Sequence, residues 1–224
     1  MNIRIALVLL LAVLFVAGAV IFRMQRDGAT AMSDQNQPNE IITEPVPDGY
    51  SRAFLAPGCF WCMEALLQET NGVGPVISGY AGGTEFNPTY EDIYKGKTSH
   101  KEAVVAYYDP DAITYREVLD IYLSGIDPTD PDGQFYDRGP TYQTAIFYET
   151  DEQKVQAQEA LDAIAPDFNK PIAVELLPYT TFYQAEEYHQ DFYLKAPGRY
   201  QQYSDAKDNL KERIWQEIQR EQSN

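Results

Sequence analysis

Between Ser51 and Arg220 the hydrophobic pattern keeps changing period, from two residues to nearly four and back. A chain patterned this way can bury its apolar side chains only by laying helices against a sheet. Ser51–Ala56 and Gly74–Tyr80 have the pattern of short strands, and Ala103–Tyr108 (AVVAYY) has a stronger one. Thr114 is placed to cap a helix over Tyr115–Ser124, with Val118, Leu119 and Tyr122 on one face. Gln143–Tyr148 reads as a strand. Thr150 starts a helix that runs through Ile164 with Val155, Ala160 and Ile164 as its apolar positions, and the pair Thr150 and Gln153 resembles a capping box. Ile172–Leu177 is a further strand, and Leu210, Ile214, Trp215 and Ile218 give Asp205–Arg220 the spacing of an amphipathic helix. The expected class is α/β or α+β, built on a single sheet.

What precedes this region has a different composition. Ile5–Phe22 is a run of 18 uncharged residues bracketed by Arg4 and by Arg23 and Arg26. At the helical rise it would be ~27 Å long, close to the ~30 Å hydrocarbon thickness of a bilayer. A buried core helix fits poorly, because the run is apolar on every side and stands apart from the other patterned segments. Ala17-Gly18-Ala19 has the small residues of a signal-peptidase site, but the run continues to Phe22, which favours an uncleaved anchor. Residues 1–23 are thus expected to be a membrane anchor or signal segment. The domain that follows would then lie outside the cytoplasm, in a periplasmic or extracellular position, or be secreted if the segment is cleaved. Residues 24–49 contain Pro38, Pro45 and Pro47 and few large apolar side chains, so they are expected to be a flexible linker. One domain then occupies 50–224.

Seventeen Lys plus Arg against 34 Asp plus Glu give a net charge of −17, and the acid excess lies beyond the basic N-terminal stretch. A body this acidic lacks the cations that neutralise phosphates, which argues against nucleic acid as a partner. Two cysteines, Cys59 and Cys62, allow one bridge at most and rule out a disulfide-dense scaffold. Both fall in Pro57-Gly58-Cys59-Phe60-Trp61-Cys62, which follows the first strand and leads into a helical stretch, Met63–Leu67. A cysteine at a helix start meets free backbone amides, which favour its thiolate. Cys62 lies one turn further on, at a spacing that suits capture of an oxidised Cys59. Two readings stand at this point: a nucleophile with its partner thiol, or a structural pair. Phe60 and Trp61 would by default be core residues.

The surrounding blocks make the hexapeptide specific. Gly58-Cys59-Phe60-Trp61 with Glu64 is followed by Gly79-Tyr80-Ala81-Gly82-Gly83, Asn87-Pro88-Thr89-Tyr90 and His100-Lys101-Glu102-Ala103-Val104. Asp137-Arg138-Gly139-Pro140-Thr141-Tyr142 and Glu187-Tyr188-His189-Gln190 complete the series. In this order, over about 51–195, they resemble the peptide-methionine sulfoxide reductase A family. The resemblance implies a two-layer α/β sandwich built on a ferredoxin-like plait, and reduction of methionine S-sulfoxide, free or in oxidised proteins. It matches Cys59 to the nucleophile, Glu102 to the acid that protonates the sulfoxide oxygen, and Tyr90 and Tyr142 to the phenols that bind that oxygen. Phe60 and Trp61 match the walls around the substrate methyl group, and Asp137 a polar residue near the site. Glu64, in the first turn of a helix where it complements the dipole, is read as a supporting residue, and His100 and His189 as hydrogen-bonded structural histidines.

One departure stands out. Many members of the family carry a resolving cysteine in a glycine-rich tail, whereas residues after 195 hold none, and Cys62 stands where glycine is common. Cys62 is therefore expected to resolve the oxidised Cys59. The resulting disulfide would be recycled by an external thioredoxin-like reductant, with no bound cofactor or metal, and the enzyme is expected to be a monomer. The alternatives are a general thiol–disulfide oxidoreductase using Cys59-Phe60-Trp61-Cys62, and a zinc module using Cys59, Cys62, His100 and His189. The latter spacing matches no compact zinc pattern.

Overall fold

The computed structural model describes residue 41 and residues 46–222. The segment expected to be a membrane anchor, residues 1–23, and most of the expected linker lie outside the described residues. Among the described residues no helix is long and apolar enough to cross a membrane.

Four strands form the centre: β1 (Ser51–Ala56), β2 (Val73–Ala81), β3 (Lys101–Tyr108) and, after two short strands β4 (Gly133–Gln134) and β5 (Asp137–Arg138), β6 (Ala145–Tyr148). Helix α1 (Phe60–Gln68) joins β1 to β2, the short α2 (Tyr90–Tyr94) lies between β2 and β3, and α3 (Tyr115–Ser124) follows β3. The central strands stand in the order β6-β1-β3-β2, all antiparallel. Counted in chain order this is 4-1-3-2 in a β-α-β-β-α-β run, the ferredoxin-like plait. After β6 come α4 (Asp151–Ile164), β7 (Glu175–Pro178) parallel to β6, and β8 (Phe182–Gln184) antiparallel to β2. The chain closes with α5 (Phe192–Lys195) and the long α6 (Pro197–Gln222).

All eight residues of β3 are buried, although the strand alternates in direction. Val104, Ala106 and Tyr108 join the core beneath α1, α3 and α4, with Met63, Leu67, Leu119 and Leu161. Ala103, Val105 and Tyr107 join a second cluster with Phe54, Phe147 and Phe182 on the opposite face. A central strand covered on both sides has no polar face to show, which is why AVVAYY reads as a continuous apolar run.

Caps and turns set the element ends. Thr114 and Glu117 form a complete capping box, and Val118, Leu119 and Tyr122 are fully buried as expected. At α4 only half of the box forms. The Thr150 side chain accepts from the Gln153 amide, but Gln153 turns its own oxygen to the Glu149 amide at 2.7 Å. Val155 is 56% exposed, contrary to expectation, because the buried stripe of α4 runs through Ala157, Ala160 and Leu161. The strand expected from Ile172 starts at Glu175, since the Ala173 amide is taken by the Pro128 carbonyl, outside the ladder. Similarly, Pro140–Tyr142 forms a 3₁₀ turn and delays the strand expected at Gln143 until Ala145. Within the stretch expected to be linker, Ile41 bridges Tyr183 and Val46 packs on the second cluster.

Gly79 sits where β8 crosses β2. A methyl group there would lie 2.3 Å from the Tyr183 carbonyl oxygen and 2.4 Å from the Phe182 ring. Gly79→Ala is therefore expected to lower stability by about 1–3 kcal/mol through overpacking. Urea unfolding should show a lower midpoint with an unchanged slope. A midpoint equal to that of the parent protein would mean that β8 moves aside without cost.

Candidate active site

Three residues, Pro57-Gly58-Cys59, carry the chain from β1 into α1. Gly58 has φ +85°, and a Cβ on it would lie 2.5 Å from the Gln134 side chain, so only glycine fits this turn. Cys59 is the N-cap of α1, in extended conformation, and is 9% exposed. Its side chain makes no capping bond. The first amide of the helix is used elsewhere: Phe60 N–H donates to Glu102 Oε2 at 3.2 Å.

Register brings Glu102 there. It pairs with Tyr80 across β2 and β3, and the two-residue period puts it on the helix-facing side with Val104 and Ala106. An edge carboxylate would have been solvated, but β3 lies between β1 and β2, and Glu102 is 3% exposed. Burial pushes its carboxyl well above the usual carboxylate range. Asp137 and Cys62 push the same way, and the Phe60 amide opposes them without prevailing.

Both cysteines are free thiols. The expectation that the helix start makes Cys59 a stronger acid is reversed. Burial, followed by the hydrogen bond to Cys62 and the nearby Glu102 and Asp137, pushes the Cys59 thiol up. The physical reason is that the first helix amide serves Glu102, leaving Cys59 a dry position among carboxyls. Cys62 goes the other way. Its hydrogen bond with Cys59 and the charge of Lys207 favour its thiolate against the effect of burial.

Around this pair the expected residues assemble. Phe60 is buried, and Trp61 stacks on Phe192 with ring centres 3.9 Å apart and donates from Nε1 to His189 Nδ1 at 3.1 Å. Tyr90, at the start of α2, has its ring centre 4.4 Å from that of His189, and its amide donates to Glu186 at 2.9 Å. Tyr142 comes from the 3₁₀ turn before β6. Burial, helped by Glu102, pushes the Tyr90 phenol up to about 12, and the same causes in the same order raise Tyr142. Both phenols are thus neutral donors close to Glu102 and Cys59. Asp137, in β5, is pushed up to about 6 by burial and accepts from the Tyr203 hydroxyl of α6.

Of the two histidines expected to be hydrogen-bonded, only His189 has a ring hydrogen bond among the described residues. His189 is buried, its Nδ1 accepts from Trp61, and burial pushes it down to about 4. His100 packs beside Glu85, 3.4 Å from Nδ1 to the carboxylate. Glu64 is not a surface complement to the helix dipole. It is fully buried against the backbone of Asp191 and Phe192, and burial raises it to about 7. Among the described residues no group of three or more His, Cys, Asp or Glu side chains could hold a metal ion.

Several neighbours escaped the sequence reading. Glu186 accepts both the Tyr80 hydroxyl, at 2.8 Å, and the Tyr90 amide, yet it lies one residue before the block Glu187–Gln190. Helix α6 starts at Pro197, eight residues earlier than expected, and the added turns bring Tyr200 and Tyr203 to the site. Their spacing with Lys207, three and then four residues, was the available signal for one helix face.

A family model described as peptide methionine sulfoxide reductase matches residues 51–221. The peptide methionine sulfoxide reductase MsrA of Halalkalibacterium halodurans is 50% identical over 153 residues, covering 67% of this chain and 87% of that protein. The corresponding protein of Bacillus licheniformis is 48% identical over the same length, covering 67% and 84%. Among solved structures, methionine sulfoxide reductase A of Corynebacterium diphtheriae superposes with a TM-score of 0.65 at 32% identity, covering 72% of this chain and 82% of that one.

Proposed function

The chain belongs to the peptide methionine sulfoxide reductase family, and we propose that it reduces methionine sulfoxide with Cys59 as nucleophile, Glu102 as acid and Cys62 as resolving thiol. The observation that carries this reading is a buried carboxyl, Glu102, held on the Phe60 amide beside Cys59 at the opening of α1.

Attack of a thiol on sulfoxide sulfur succeeds only when the oxygen is made a better leaving group. Glu102 gives its proton to that oxygen while Tyr90 and Tyr142 donate hydrogen bonds to it. The Cys59 sulfur attacks, and its own proton restores the acid form of Glu102. The substrate S–O bond breaks and an S–O bond forms on Cys59. Methionine leaves reduced by two electrons, and Cys59 is oxidised by two to a sulfenic acid. Phe60 and Trp61 wall the substrate methyl group, which fits their position beside Cys59, and Asp137 lines the polar side. The preference for the S epimer follows from the family resemblance.

Cys62 then condenses with the sulfenic acid, giving a disulfide and water. A thioredoxin-like dithiol takes the disulfide back to two thiols and becomes oxidised itself. Cys62→Ser tests this sequence. The variant should release about one methionine per enzyme molecule, because Cys59 and Glu102 remain. It should then stop with thioredoxin as reductant, leaving a sulfenic acid that dimedone labels. Turnover of Cys62→Ser at the parent rate would remove the resolving role from Cys62.

A further inference from the structure

We propose that Lys207, reaching from α6 into the cavity behind Cys59 and Cys62, readies Cys62 for its attack on oxidised Cys59. The proposal rests on Cys62 being the resolving thiol.

That cavity, about the size of one water molecule, is not lined by Phe60, Trp61, Tyr90 or Tyr142. It is lined by both cysteines, Gln134, Phe135, Tyr203 and Lys207 among others. Of the described residues that line it, Lys207 alone carries a charge. Its side chain is 14% exposed, although lysine ordinarily keeps its ammonium in water. Its nearest ion-pair partner, Asp208, is 3.9 Å away and mostly exposed, so that pair is loose. The ammonium lies 5.9 Å from the ring centre of Phe135, a residue held at φ +53°. A cation sequestered beside a thiol gains a full counter-charge when that thiol ionises.

The other groups facing Cys62 cannot supply this. From α1 comes the Cys59 thiol, from β3 Glu102 and from β5 Asp137, both carboxyls that disfavour a second negative charge. Helix α6 contributes Asp208, which acts likewise, and the neutral phenol of Tyr200. The Cys59 hydrogen bond favours the Cys62 thiolate most, and Lys207, the one cation among these groups, adds its charge in the same direction.

The step balances without another reagent. Cys62 loses its proton to solvent, the thiolate attacks the Cys59 sulfur, the S–S bond forms and the S–OH bond breaks. The departing hydroxide takes up a proton as water. Cys59 is reduced and Cys62 oxidised, to the level of a disulfide.

Two measurements on the full-length chain test it. The first is the rate of Cys62 alkylation by iodoacetamide against pH in Cys59→Ser, with and without Lys207→Met. Methionine keeps the length of the side chain and removes the charge. The midpoint should rise by about one pH unit, a tenfold loss of thiolate below it, and Lys207→Arg should leave it in place. An unchanged midpoint in Lys207→Met, or an equal shift in Lys207→Arg, overturns the proposal. The second is disulfide formation after one equivalent of sulfoxide. Lys207→Met should slow it about tenfold near neutral pH and recover as pH rises. A deficit that persists at high pH would make Lys207 a packing residue only. Alkylation reports on Lys207 even if Cys62 resolves nothing, whereas failure of the resolving role appears as normal turnover of Cys62→Ser.

Discussion

Replacing Cys59 by serine should lower the formation of methionine from its sulfoxide by ~10³-fold or more, about 4 kcal/mol in the barrier. Burial already holds the thiol of Cys59 in its protonated form, and a serine hydroxyl is a weaker acid still. Neither histidine stands ready to activate it in advance. His189 spends Nδ1 on Trp61, and His100 lies against Glu85. Sulfur also attacks sulfur more readily than oxygen does. The substitution removes no large volume from the core, so thermal unfolding should stay close to that of the parent. The measurement is methionine release from each sulfoxide epimer, and activity within tenfold of the parent would displace Cys59 from the role of nucleophile.

Glu102→Gln should slow the chemical step by ~10²–10⁴-fold, the range for loss of a positioned acid. Glutamine keeps the size of the side chain and an oxygen to accept from the Phe60 amide, so the start of α1 keeps its anchor. What it cannot do is give up a proton. The sign of the pH effect follows from the direction in which Glu102 is displaced. Burial raises its proton affinity, so the donating form persists above the usual carboxylate range and is lost as pH rises through the raised value. The parent enzyme should therefore lose kcat on the alkaline side, and Glu102→Gln should lack that limb. A defect confined to KM would make Glu102 a binding residue. Reduction of insulin disulfides gives the contrast with a general thiol–disulfide oxidoreductase, for which Glu102 would have no role.

Much of the secondary structure is a local property and was legible. Strand β1, the Thr114 cap and the buried face of α3 follow from residues that are neighbours in the chain. So did the candidate site, but through its resemblance to a family: Tyr90, Glu102, Asp137 and Tyr142 have no chemistry of their own to mark them among so many acids and tyrosines. Where local reasoning failed, competing hydrogen bonds had intervened. Gln153 turned its oxygen to the Glu149 amide and its nitrogen to the distant Arg52 carbonyl, and the Ala173 amide went to the distant Pro128 instead of a ladder.

Glu102 marks the division most sharply. By itself the sequence determined that it opens a strongly patterned strand and alternates with Ala103, because period and propensity depend on adjacent residues. Only the tertiary structure decided that this strand is central, that α1 starts above it and that its carboxyl is dry. The reversal at Cys59 has the same origin. A helix start favours a thiolate when its amides are free and the thiol is solvated, and here Glu102 holds the first amide while packing buries the thiol. Proton affinity is set by everything within a few ångströms, and which groups come that close depends on strand order and helix packing, which join residues far apart in the chain.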